Sequence, residues 1–194
     1  MAVAHGINSE RSSAPARRRR ALVAVGPRTV SVFQEAPDLL DEVGVPAGDL
    51  GHVRVPLLEV ERGLWRPPGP RPGAPAHFGL LLLGGLVLRR LTLNGRTGAE
   101  LLGAGDLLQP WIRQPPYDVF AAEPGWEVLE DARLAVLDAR FAAQVAPWPA
   151  VAVALVGRAI ERARMLDMMR FTIRMTTASR KNPAAKDSAA SIEP

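Results

Sequence analysis

Between Phe78 and Leu108 short apolar runs are cut at regular intervals by glycine-containing pairs: FGLLLL, Gly84-Gly85, LVLRRLTL, Asn94-Gly95, GAELLG. Runs of that length punctuated that often are too short for helices and match successive strands of a β-sandwich or barrel. The spacing predicts three consecutive strands, with turns at both pairs. Asn94-Gly95 is the stronger turn signal, because both residues tolerate the positive φ of a type I′ hairpin. Upstream, HVRVPLLEVERGLW reads as a strand with Pro56 at a sheet edge, and Arg66 to His77 is a proline-rich loop that a sheet interior does not admit. Downstream, DVFAAE and RLAVLD are strand candidates, the second alternating Leu134 and Val136 with Ala135 and Leu137.

After Asp138 the period switches to a helical one. Pro147 and Pro149 divide a short helix from a long one of about 25 residues. On the long helix Val156, Ala159, Ala163, Leu166 and Ile173 lie on one apolar stripe, interrupted by Arg170. That stripe has two readings: packing on its own domain, or the seam of a dimer. The methionines at 165, 168, 169 and 175 leave apolar surface on more than one side. A short helix is expected in VFQEAPDLLDEVG, opened by Pro37 and closed by Gly44. The expected division is a disordered basic leader over 1–30, a β-roll with an N-terminal helix over 31–145, a long helix over 146–175 and a polar, disordered tail over 176–194. The packed part is expected to start near His52.

Charge and composition remove several functions. The sequence pI is near 10.5, yet five arginines against Glu10 in residues 1–20 carry the whole excess, and the remaining residues hold nineteen basic and nineteen acidic side chains. Arg17 to Arg20 therefore form a local basic run rather than a basic domain. Residues 151–181 are locally net +5, which reads as a solvated helix face flanking a dimer seam; direct nucleic-acid binding is the rival reading. There is no cysteine, so thiol catalysis, disulfides and thiolate metal sites are excluded. His5, His52 and His77 are far apart, so no metal site and no catalytic residue is expected. The lack of cysteine suits a cytoplasmic chain, and the longest apolar run, Phe78 to Leu88, is eleven residues and too short to span a bilayer, so no membrane partner is expected.

The phrases GLLLLGGLVLRRLTLNGRTGAELLGAGDLLQPW and WEVLEDARLAVLDARFAAQVAPWPAVAVALVGRAIERAR resemble the sensor half of Crp/Fnr-type transcription regulators, in the divergent form of high-GC bacteria. The resemblance spans roughly residues 50 to 170. It implies a mainly β fold: a cyclic nucleotide-binding-like jelly-roll (double-stranded β-helix), then a short helix and a long C-terminal dimerisation helix. It also implies a ligand pocket in the roll, a homodimer, and DNA contact through a helix-turn-helix after the long helix. Only nineteen residues follow Met175, so that DNA-reading part is expected to be absent, as in a sensor-only protein or a truncated or frame-shifted regulator.

In nucleotide-binding members the Gly-Asp corner runs into a Gly-Glu pair, and an Arg-Ser or Arg-Thr pair follows. Free turn amides and a guanidinium then hold the cyclic phosphate. Here Gly105 and Asp106 supply the corner, but Gln109-Pro110 stands at the Gly-Glu place and Glu123-Pro124-Gly125 stands where the arginine belongs. Pro110 has no amide hydrogen to donate. The ligand-pocket candidates are therefore Gly105, Asp106, Gln109, Trp111, Arg113 and Trp126, with cyclic AMP disfavoured and no cofactor expected. The expected function is a non-catalytic sensor and dimerisation module. The alternatives are a small-ligand or protein-binding β-roll unrelated to DNA, and a cupin-type enzyme, which the scarcity of histidine opposes.

Overall fold

The computed structural model describes residues 20–68, 78–93, 96–109 and 123–181. Its strands are β1 (Val23–Ser31), β2 (Arg54–Val60), β3 (Gly63–Trp65), β4 (Gly79–Leu93), β5 (Arg96–Leu102), β6 (Leu107–Leu108) and β7 (Glu123–Leu137). They form one antiparallel sheet in the order β1-β2-β7-β4-β5, with β3 on β7 and β6 on β4. Three short helices, α1 (Val32–Glu35), α2 (Pro37–Val43) and α3 (Ala47–Leu50), follow β1, while α4 (Ala139–Val145) and α5 (Pro149–Lys181) follow β7. The architecture is mainly β, an antiparallel sheet rolled around an inner core, whose last strand leads into a short helix and a long C-terminal helix.

Strand alternation separates two cores. On β4 Leu81 faces the helices, and its neighbours Leu80 and Leu82 face the roll interior; on β7 Ala135 and Leu137 face the helices, and Leu134 faces inward. A period of two forces this division, because successive side chains leave a strand on opposite faces. The helix-side core joins Val32, Phe33, Leu39, Leu50, Phe141, Val151 and Leu155, and the inner core joins Leu58, Trp65, Val87, Leu102, Trp126 and Val128.

The structure corrects several sequence expectations. Gly84-Gly85 is no turn. β4 runs through it for fifteen residues, paired with β7 from Gly79↔Leu137 to Thr92↔Glu123, with the register shifting between Leu82 and Val87. Gly85 takes φ 88° at this irregularity, where a Cβ would lie 2.3 Å from the Asp131 carbonyl oxygen. Pro56 is not on an edge strand, since β2 lies between β1 and β7. It is tolerated because the β7 ladder starts one residue later, at Leu57↔Ala135, and β1 is irregular between Val25 and Thr29.

The packed chain also starts well before His52, and the leader ends before residue 30. β1 begins at Val23, and Val32, Phe33 and Leu39 are fully or almost fully buried. Local text around β1 hid this, because Gly26-Pro27 breaks its alternation. The long helix continues past residue 175 to Lys181, giving 33 residues and, at about 1.5 Å per residue, a length of about 50 Å.

Other signals translate directly. Pro37 opens α2, and Gly44 ends it in the left-handed region at φ 66°. Leu93 pairs with Arg96, the register of a two-residue hairpin; Asn94 and Gly95 lie outside the described residues, as do the leader up to residue 19, loop positions 69–77 and the tail from 182. Asp138 caps α4 by accepting from the amides of Arg140 and Phe141, an interaction worth about 1 kcal/mol. Phe141 then meets Phe78 edge to face at 5.9 Å.

Candidate functional site

The Gly105-Asp106 corner is built where β5 leaves the sheet and β6 returns to β4. Asp106 Oδ2 accepts from the Gly103 amide at 2.8 Å, which closes the turn. The Gly105 amide donates to the Leu82 carbonyl at 2.8 Å, and the Asp106 amide donates to the Gly103 carbonyl at 3.1 Å. A phosphate cradle needs turn amides pointing outward with no partner. At this corner both amides are already engaged.

Two arginines one helical turn apart on α5 grip the corner. Arg158 donates from Nη1 to the Gly105 carbonyl at 2.7 Å, from Nη2 to Asp38 at 2.9 Å and from Nε to Glu42 at 2.8 Å. Arg162 binds Asp106 and Glu100, and Glu100 also holds Arg89 of β4. The side chains of Arg89 and Glu100 are 9% and 10% exposed, so this part of the network is shielded from water and salt. Position 105 favours glycine, because its φ is 88°, a conformation that side chains rarely adopt.

Burial by itself lowers the Arg158 pKa, but the hydrogen bonds and charges of Glu42 and Asp38 outweigh it and hold the guanidinium above its ordinary value. A raised folded-state pKa gives stability that is fully present below the ordinary guanidinium range and is lost only as pH climbs through the raised value. Arg158 therefore stays charged, and its grip on the corner persists, throughout the neutral and mildly alkaline range.

An open groove of about 650 Å³ lies over this network, with Ala104, Leu107, Met165 and Met168 as its apolar wall. The guanidinium groups of Arg158 and Arg162 at its floor already face carboxylates. In the roll interior Trp126 packs edge-on against Trp65 at 6.1 Å, and the Arg89 guanidinium lies 5.4 Å from the Trp126 ring. Among the described residues there is no cluster of His, Asp or Glu able to hold a metal ion, and no helix long and apolar enough to cross a membrane.

The expected pocket residues divide. Gly105 and Asp106 form the corner. Gln109 donates its side-chain amide to the Phe78 carbonyl at 2.6 Å and so fastens β6 to the start of β4. Trp126 is buried in the inner core. Trp111 and Arg113 lie outside the described residues. Pro124 and Gly125 are strand residues of β7 opposite Leu91 and Arg90.

Of the helix candidates, Val156 and Ala163 are exposed, Leu166 is half-buried, and Ala159 packs against the chain's own helix-side core. The side chain of Ile173 lies outside the described residues.

One reading is corrected. Arg158 and Arg162 do not belong to a solvated face, because they point into the domain with side chains 15% and 22% exposed, whereas Glu161 and Arg164 beside them are exposed. Sequence reasoning missed these two, and with them Asp38, Glu42, Arg89 and Glu100. The available signal was their spacing of four, in phase with Val151, Ala154 and Leu155 on the packing face.

No protein-family model matches the chain, and no curated protein does. Among solved structures, a mutant of CooA from Carboxydothermus hydrogenoformans superposes with a TM-score of 0.39 at 15% identity, over 77% of this chain and 86% of that one. The heme domain of CooA from the same organism gives 0.33 at 15% identity, over 70% and 95%. Superposition at this level assigns neither ligand nor partner to the present chain.

Proposed function

We propose that this chain is a non-catalytic sensor module of the Crp/Fnr kind, in which the roll reports its state to α5 and α5 pairs with the same helix of a second copy. The observation that carries this reading is the double arginine grip of α5 on the Gly105-Asp106 corner. A corner held by main chain and carboxylate together is tied to the helix through both arginines, which gives a change at the corner a direct path to α5.

The seam is supported by Val153, Val156, Ile160 and Ala163, which recur at spacings of three and four on the face of α5 turned away from the roll. Val153, Val156 and Ile160 are 71%, 49% and 48% exposed, a large apolar surface for a helix whose other face is already packed. This stripe is rotated from the expected one, sharing Val156 and Ala163 and losing Ala159 to the core. Sedimentation at micromolar concentration is expected to give a dimer for the native chain and a monomer with unchanged secondary structure for Ile160→Asp. A native monomer would end the pairing proposal.

The ligand is not cyclic AMP held through a phosphate cassette. Occupied corner amides, the Gln109 bond to Phe78 and arginines facing carboxylates all oppose it. Cyclic AMP at millimolar concentration is expected to leave the melting temperature unchanged, whereas a specific ligand at a hundred times its Kd adds about 2.7 kcal/mol. A concentration-dependent rise would refute this.

A further inference from the structure

We infer that Glu100 is a positioning residue that couples the aromatic interior of the roll to α5, through a relay running Trp126, Arg89, Glu100, Arg162, Asp106. Each link is a contact in the folded chain. Arg89 lies over the Trp126 ring at 5.4 Å, and its Nε donates to Glu100 Oε2 at 2.9 Å. The other carboxylate oxygen of Glu100 accepts from Arg162 Nη1. The second Arg162 nitrogen reaches Asp106 Oδ1, and Oδ2 of the same carboxylate closes the corner on Gly103.

Two features make this a relay rather than a set of surface ion pairs. Glu100 divides its two oxygens between arginines on different elements, so neither guanidinium can shift without changing the charge felt by the other. The inner members are also almost wholly buried, so water cannot take over a lost partner cheaply. A surface pair such as Arg28–Glu59, with side chains 77% and 44% exposed, has no such consequence. β5 places Glu100 opposite Arg89 in the β4 register, which fixes the central joint on the sheet rather than on a loop.

The relay belongs to the folded chain and adds to the sensor reading the route by which a change at the inner aromatic pair reaches the helix. Its test is independent of dimerisation and of any ligand. The full chain labelled with 5-fluorotryptophan contains four indoles, and Trp126→Phe assigns the relevant fluorine resonance. Arg162→Ala, on the helix, is expected to move the Trp126 resonance by more than its linewidth and leave that of Trp148 in place. In a Glu100→Gln background the same helix substitution is expected to move Trp126 far less, and Glu100→Asp is expected to restore part of the response. Should Arg162→Ala fail to fold, Arg162→Lys, which keeps the charge and loses the fork, serves the same cycle. The inference is overturned if Trp126 does not respond, if it responds equally with and without Glu100, or if Trp148 moves as much.

Discussion

Phe141→Ala should lower the free energy of unfolding by about 3–5 kcal/mol, read as a shift of the urea midpoint with unchanged slope. The ring is fully buried, sits at the first turn of α4 and meets Phe78 edge to face. It belongs to the core that joins α1–α5 to the helix-side faces of β4 and β7. Several elements converge on it, so the cavity left by its removal closes poorly. A loss that large takes a substantial share of the 5–15 kcal/mol typical of a folded domain. A loss below about 1 kcal/mol would mean that α4 does not seat in the helix-side core as described.

A second large effect is expected from a single methyl group. Gly85→Ala puts a side chain at φ 88° and a Cβ 2.3 Å from the Asp131 carbonyl oxygen and 2.7 Å from the Ala132 Cα. The backbone conformation alone costs about 1–3 kcal/mol. The clash is with main chain, which no rotamer change relieves, so the total should reach about 3 kcal/mol or more. The neighbouring Gly84→Ala is the control. A Cβ there meets nothing within 4 Å, and alanine is favoured over glycine in a strand by about 0.5–1 kcal/mol, so that variant should be neutral or slightly more stable. Equal behaviour of the two variants would remove the close crossing of β4 and β7 from the account.

These two residues show how differently the fold was written in the sequence. Phe141 stands on the apolar period of a helix that Asp138 opens, so its burial follows from local pattern. The glycine pair has the same composition as a turn, and only the partner strand reveals that the chain passes straight through it. Likewise Pro37 and Gly44 bound α2 as their chemistry requires, while β1 escaped notice because Gly26-Pro27 interrupts its alternation. The corner at Gly105-Asp106 was legible as a corner, but not its occupants. Whether a turn amide is free depends on the carbonyl of Leu82, more than twenty residues earlier in the chain.

From the sequence alone came the strand-rich class, the short helix followed by a long one, the absence of cysteine chemistry and the scarcity of histidine. All are properties of composition or of periods shorter than a single element, where each residue constrains its near neighbours. The tertiary structure alone decided what the arginines do. Arg158 reaches Asp38 and Glu42 across 120 and 116 residues, and Arg162 reaches Glu100 and Asp106 across 62 and 56. A charge on a helix has the same local signature whether it faces water or a buried carboxylate. The difference lies in which elements the hydrophobic cores bring together, and that is settled only when the sheet has closed and α5 has packed against it.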